Sequence, residues 1–569
     1  MFHGSHQLAR MSFSMDMENA MDKAKDQVRE SKDPVRNGIL FGENSELTKH
    51  HAFIMNPTNA PWTQYMSSYA FIMYLGLNPA AAAMNLFQTP IMGVAVLGAY
   101  GGGLNGVARA IKQLTQAMID FTWHGKGFIE RSSRLDDDDR KAMQEGYELG
   151  AIDKTQGHDL AGVAETGIEY SPVREKAMKV ISAMFHHTER ANREITFLAA
   201  YRMAREKGLE HDAAVRKAAS LVWKTHFDYA NTSRPRFMQS NAAKALFVFR
   251  NFQVNMLFRL WRDSHQALLG ESKEVRREAR IHLAGITGMM MLNAGITGTW
   301  LFGIAIAIAG MFMDDGEDAE EELKKAMVAS LGSNLAGMAL YGVPGHLSGT
   351  SISERVGMPD LWFRSPSSES DMDDWKSYLQ YYTFQSLGAS FASLYNFAKG
   401  ADQVAQGEIY RGVETVMPSM FKNPMKAYRY ATEGVTNMRG DTIAEATNAD
   451  VFKQALGFTP ARIAEQYKTN NASYNKQQLI AKQRKEILDM YYKAYHGAEQ
   501  VDEKLLDKAD AKRDAFNDKY PEKVISGPGI KRSIDEKIKG GQNAVGGMRY
   551  DRKLRDRLIE DQSPSIYGE

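Results

Sequence analysis

Residues 283–313 read LAGITGMMMLNAGITGTWLFGIAIAIAGMFM, 31 residues without a single Asp, Glu, Lys or Arg. That exceeds the roughly 20 apolar residues a helix needs to cross a bilayer. Arg276, Arg277 and Arg280 precede the run, and Asp314, Asp315, Glu317, Asp318, Glu320, Glu321 and Glu322 follow it. In a spanning helix the basic end would face the cytoplasm. Gly285, Gly288, Gly295, Gly298 and Gly303 offer small surfaces for close helix contact. Trp300, Leu301, Phe302, Ile304, Ile306 and Ile308 are the residues expected to contact a membrane. A weaker apolar run over 326–353 follows the acidic turn, so a helical hairpin is expected across 283–353.

A second charge-free block occupies 52–108. About a quarter of surface residues are normally charged, so such a block is sequestered in protein or in lipid. Asn78 followed by Pro79 marks a helix start, with Asn as cap and Pro at the first helical position. Pro90 divides the block into pieces shorter than a bilayer span, so hairpins, re-entrant segments or a greasy protein core all fit it. Of the two blocks, 283–313 is the better spanning candidate.

The remaining residues read as helices. Ser171-Pro172 opens a long one that ends at Gly208, with Val180, Met184, His187, Ala191, Ile195 and Leu198 on one face. Asp212 begins a second that ends near Asp228, and the two are expected to lie antiparallel. Between 234 and 262, Phe237, Phe247, Phe249, Phe252, Phe258 and Trp261 interleave with Arg234, Arg236, Arg250, Arg259 and Arg262, with no acid before Asp263. Such a stretch lies on an anionic membrane, contacts phosphates, or packs into a core with its arginines outward. The five arginines are the candidates for phosphate or lipid headgroups. Beyond a polar linker at 365–374, further amphipathic helices are expected, and Leu479, Ile480, Ile487, Leu488, Tyr491 and Tyr495 form a late stripe. From 523 to 557 ten Lys and Arg face four acids, which reads as a flexible basic tail.

The expected fold class is therefore all-α, an elongated multi-helix assembly with two long apolar blocks able to insert in a membrane and a basic C-terminal tail. Its segments are 1–51, 52–170, 171–282, 283–353, 354–460 and 461–569. The 569 residues, 43% of them hydrophobic, allow two to four domains with large cores, and a net charge of +1 does not by itself point to nucleic acid. The absence of cysteine excludes disulfides, thiolate metal sites and a cysteine nucleophile. The first residues lack the basic and apolar regions of a secretory signal.

Catalytic signatures are missing. No GxxxxGK[ST] loop, HExxH pair or GxSxG elbow occurs. His186 and His187 with Glu189 and Glu194 raise a metal site, but no second histidine pair stands at ligand spacing. The acidic run at 136–139 lacks the alternating ligands and turn glycine of a calcium loop, and reads as a helix start favoured by the macrodipole. The expectation is a protein that is not an enzyme and takes no cofactor.

HTERANREITFLAAYRMAREKG, AAVRKAASLVWKTHFDYANTSRPRFM and FVFRNFQVNMLFRLWRD resemble a helical domain near the C-terminus of giant phage polyvalent proteins. SSYAFIMYLGLNPAAAAMNLFQTPIMGVAVLGAYG resembles the segment that commonly precedes it, and GFTPARIAEQY one that follows. The resemblance implies an internal virion protein ejected with the genome, acting in the virion and then in the host envelope as part of a DNA-translocation conduit. Implied partners are other ejection or portal proteins, the host membrane, DNA and further copies of the chain. A soluble helical scaffold of the virion and a nucleic-acid escort protein are the other expectations.

Overall fold

The structure, a computed structural model, describes residues 61–152, 172–227, 235–310, 319–358, 388–437, 440–496 and 501–542, with a few single positions elsewhere. Of the described residues 82% are helical and 2% lie in strands. They fall into two compact units, one reaching residue 467 and the other beginning at 468.

The first unit opens with α1 (Pro61–Tyr74) and α2 (Pro79–Asn85). Asn78 caps α2 as the sequence requires, its Oδ1 accepting from the Ala81 N–H at 3.3 Å. α3 (Val94–Gly101), α4 (Leu104–Ile119) and α5 (Asp137–Glu148) follow. Asp136 caps α5 through the Asp139 N–H at 2.7 Å, and the next three aspartates fill its first turn, where negative charge is favourable. α6 (Pro172–Glu206) then runs to a turn at Gly208, where the Leu209 N–H reaches the Ala204 carbonyl at 3.2 Å. α7 (His211–His226) packs back on α6, giving the expected helical pair.

The main core lies among α3 to α7 and buries Leu97, Ile129, Ile152, Phe197, Leu198 and Val222. Each such side chain contributes about 1.5–3 kcal/mol when removed from water. Ala191, Ile195 and Leu198 are buried as expected, whereas Val180 and Met184 are exposed. The expected single stripe fails because α2, α4, α5 and α7 all pack on α6, so its second half is buried all round. Glu189, Asn192, Arg193, Glu194 and Thr196 go inside with it.

Next come α8 (Asn251–Leu269) and α9 (Lys273–Ala294). Here the expectation for 283–313 is corrected, because the run is not one helix. α9 stops at Gly295, whose φ of +73° suits glycine and where a Cβ would sit 2.1 Å from the Leu340 carbonyl oxygen. A turn at Ile296–Gly298 leads to the short α10 (Phe302–Gly310), and α11 (Ala319–Tyr341) is kinked at Gly332. Among the described residues the one helical run long and apolar enough to span is Pro79–Gly101, 23 residues, with 56% of its most apolar window buried. Pro90 does not interrupt it, since the π turn Thr89–Gly93 absorbs the proline and joins α2 to α3.

The unit ends with α12 (Gly388–Ala405), α13 (Ile409–Val416), α14 (Ser419–Glu433), the hairpin β1 (Val435–Thr436) and β2 (Thr442–Ala444), and α15 (Asn448–Ala455). α16 (Ala461–His496) carries the chain into the second unit. There it packs with α17 (Glu503–Lys519) and α18 (Gly527–Gln542) over Ile487, Tyr491, Phe516, Tyr520 and Ile530. The segment expected to be a free basic tail from 523 is therefore, through Gln542, a packed helix whose Lys537 pairs with Asp489. Residues 550–569 lie outside the described residues, as does the linker at 365–374.

Candidate membrane-contact site

Of the six residues expected to meet lipid, Phe302, Ile304, Ile306 and Ile308 lie on α10, and Trp300 and Leu301 lie in the turn that leads into it. Leu301, Ile304 and Ile308 are exposed, the last two by 55% and 51%. Trp300 and Ile306 are half-buried, and the Trp300 indole donates to Thr287 Oγ1 at 3.3 Å. Phe302 is corrected: it is buried, turned into the fold at the start of α10. α11 packs against α10 and adds exposed Val328, Leu331 and Leu335, which the sequence reading did not single out. No charged residue occurs between 326 and 353. Burying a charge in hydrocarbon costs several kcal/mol, so this uncharged surface is one that lipid can cover.

The basic aromatic stretch divides into an inner and an outer row. Arg259 belongs to the inner row, which corrects its assignment to a headgroup. Its guanidinium is buried, donates to the Lys224 carbonyl, and lies 5.7 Å from the Phe227 ring. Burial pushes it down to about 10. Asp263 is also inside; burial raises its carboxyl, but hydrogen bonds from His282 and Arg262 outweigh this and hold it below the usual range. Arg262 is exposed at the surface but donates to Asp263 at 2.9 Å. Arg250 is half-buried, and burial lowers it. Arg236 starts the turn Arg236–Met238 with its side chain outside the described residues, and Arg234 lies outside them altogether. The outer row is apolar: Phe258, Trp261, Leu268 and Leu269 point away from the core.

The remaining clusters of polar groups serve the fold. The Tyr147 hydroxyl donates to Glu194 Oε1, the same oxygen that Arg190 Nε meets at 3.0 Å. Arg193 donates to the Ala151 and Phe227 carbonyls at 3.2 and 2.8 Å. Arg202 bridges Asp120 at 2.8 Å and Asp139 at 2.6 Å. The His186 and His187 rings stand 5.7 Å apart, but Glu189 faces Arg193 and Glu194 is taken by Tyr147 and Arg190, so the carboxylates do not gather around them. A set the sequence reading missed, Glu145, His211 and Asp212, brings ligand atoms within 4.8 Å of one another. Its members come from α5 and α7, and no local spacing announces them. The Tyr201 hydroxyl sits 2.9 Å from His211 Nδ1, and Lys141 lies 3.8 Å from Glu145 and already supplies a cation there.

No family model matches this chain, and no curated protein and no solved structure matches it either.

Proposed function

We propose that this chain is an internal virion protein that is ejected with the genome and engages the host membrane through α10 and α11. The observation that carries the membrane part is the exposure of Ile304, Ile308, Val328, Leu331 and Leu335 on two adjacent helices and of Leu301 just before the first, with no charge from 283 to 313 or from 326 to 353. Large exposed apolar surfaces on folded chains are covered by lipid or by partners. More than half of the most apolar window of Pro79–Gly101 is buried, which supports the exposed pair as the first contact. The virion part rests on the resemblance of 187–208, 213–238 and 247–263 to phage polyvalent proteins.

Flotation of the full chain with liposomes tests the membrane reading. Wild type is expected to float and the double variant Ile304→Asp, Leu331→Asp to remain below, with unchanged circular dichroism. Wild type that stays below at every pH, or a double variant that floats as well, sinks the reading. A detergent-free oligomer in which α10 and α11 resist protease would instead identify a scaffold. Mass spectrometry of purified particles tests the virion assignment, which fails if the chain is absent.

A further inference from the structure

One face of α9 lies at the opposite end of that helix from α10. Lys273, Arg276, Arg277 and Arg280, spaced by three and four residues, share it with Ile281 and Ala284. Together they line a concavity of about 330 Å³, and every polar side chain in that lining is a cation. Arg280 Nε donates to the Ala267 carbonyl at 3.1 Å and Arg276 Nη1 donates to that of Gly270, which ties both to the end of α8 and leaves their other N–H groups unused there. Among the described residues Lys273 and Arg277 make no hydrogen bond or ion pair. Of the neighbouring acids, Glu274 is held by Ser272 and its own N–H and also feels the Arg276 charge, and Glu278 lies near enough to Lys224 to act on it.

Beside this groove the chain between the two clamped carbonyls carries Leu268 and Leu269, exposed by 75% and 71%, and Trp261, exposed by 73%, stands two turns back on α8. Apolar side chains in water next to unneutralised cations suit the boundary between headgroups and acyl chains. Nucleic acid offers the phosphates but no hydrocarbon for the leucines.

We infer that the Lys273, Arg276, Arg277 and Arg280 groove is a binding site for the phosphate headgroups of anionic phospholipid, seated by Trp261, Leu268 and Leu269 at the acyl boundary. The inference rests on the membrane reading above and adds its lipid class. It moves the cationic contact from the arginines of 234–262, where Arg259 is buried, to the start of α9.

The test uses the full chain and vesicles of phosphatidylcholine, with and without phosphatidylglycerol. Lys273→Gln with Arg277→Gln removes the two unpaired cations and spares the arginines that cap α8. On phosphatidylglycerol vesicles this variant should partition roughly 30-fold more weakly than wild type, since each cation near an anionic surface is worth about 1 kcal/mol. On phosphatidylcholine alone it should match wild type. Leu268→Ser with Leu269→Ser should weaken both. Unchanged melting curves establish that the variants fold. Undiminished binding of the Lys273, Arg277 variant to phosphatidylglycerol overturns the site. So does a variant that loses affinity for inorganic phosphate or duplex DNA while keeping that for vesicles. Wild type that binds both vesicle types equally through Ile304 and Leu331 overturns this site alone, whereas wild type that binds neither overturns the membrane reading with it.

Discussion

Glu194→Gln should stabilise the protein at pH 8 relative to pH 5. Glu194 is fully buried on α6, and burial pushes its carboxyl from 4.5 up to about 7 despite Arg190 and the Tyr147 hydroxyl. One of its oxygens finds no hydrogen-bond partner, so the ionised form is poorly solvated. A carboxyl raised in the folded state contributes stability in full below its unfolded value, and that contribution is lost as pH rises through the folded value. The loss here amounts to about 3 kcal/mol between pH 4.5 and pH 8. Gln keeps the shape and never ionises, so the difference between variant and wild type should widen by about 2.5 kcal/mol from pH 5 to pH 8. A pH-independent cost to Arg190 would cancel in that comparison. His226 acts in the other direction: burial lowers its imidazole well below 6.5, so its contribution is present above 6.5 and fades as pH falls. Between pH 4.5 and 6.5 the two slopes oppose each other, so the Gln variant, which keeps only that of His226, should lose stability on acidification more steeply than wild type. Urea denaturation followed by helical circular dichroism at both pH values reads this out. An equal difference at pH 5 and pH 8 would refute the reasoning.

Arg202→Ala leaves the buried Asp139 without its guanidinium and Asp120 with Arg134 alone, at 3.3 Å, and should cost about 3 kcal/mol in urea denaturation. At Gly285 a Cβ would lie 2.9 Å from Ala95 Cα, so Gly285→Val should push α9 off α3 and lower stability by about 1–3 kcal/mol, measured as a fall in melting temperature. Thr447→Ala removes the reciprocal cap that Thr447 and Asp450 form at the start of α15 and should cost about 1 kcal/mol, with faster amide exchange in that helix's first turn.

What the sequence made legible was local chemistry. Asn78 with Pro79, the aspartates from Asp136 and the turn at Gly208 each act through neighbours a few residues away, and each stands where its residue type demands. Hydropathy windows misjudged 283–313 because the helix ends where Gly295 meets the Leu340 backbone, a contact across 45 positions that no window contains. Pro90 was misjudged for the converse reason, since a π turn is a local rearrangement that apolar content does not signal. In the candidate site, Ile304 and Ile308 follow from sequence because an apolar residue on a short peripheral helix has little to hide behind. Arg259 does not follow: a basic aromatic pattern cannot tell that this one guanidinium turns inward to the Lys224 carbonyl and the Phe227 ring. The burial of Glu189, Arg193 and Glu194 was equally hidden, because charge normally marks the face of a helix that water covers.

The polar residues along α6 take their partners from far upstream. Asn192 pairs with Thr89 and the Asn85 carbonyl, Glu194 with Tyr147, and Arg202 with Asp120 and Asp139. These are long loops to close, so α6 cannot complete its environment until everything from α2 to α5 has been made and brought to it. The segment from α6 onward is consequently not a detachable module. A fragment beginning at Pro172 would carry a helix whose ionic groups had lost their counterparts, and it should aggregate or bind chaperones, whereas one beginning at Pro61 keeps every one of those partners.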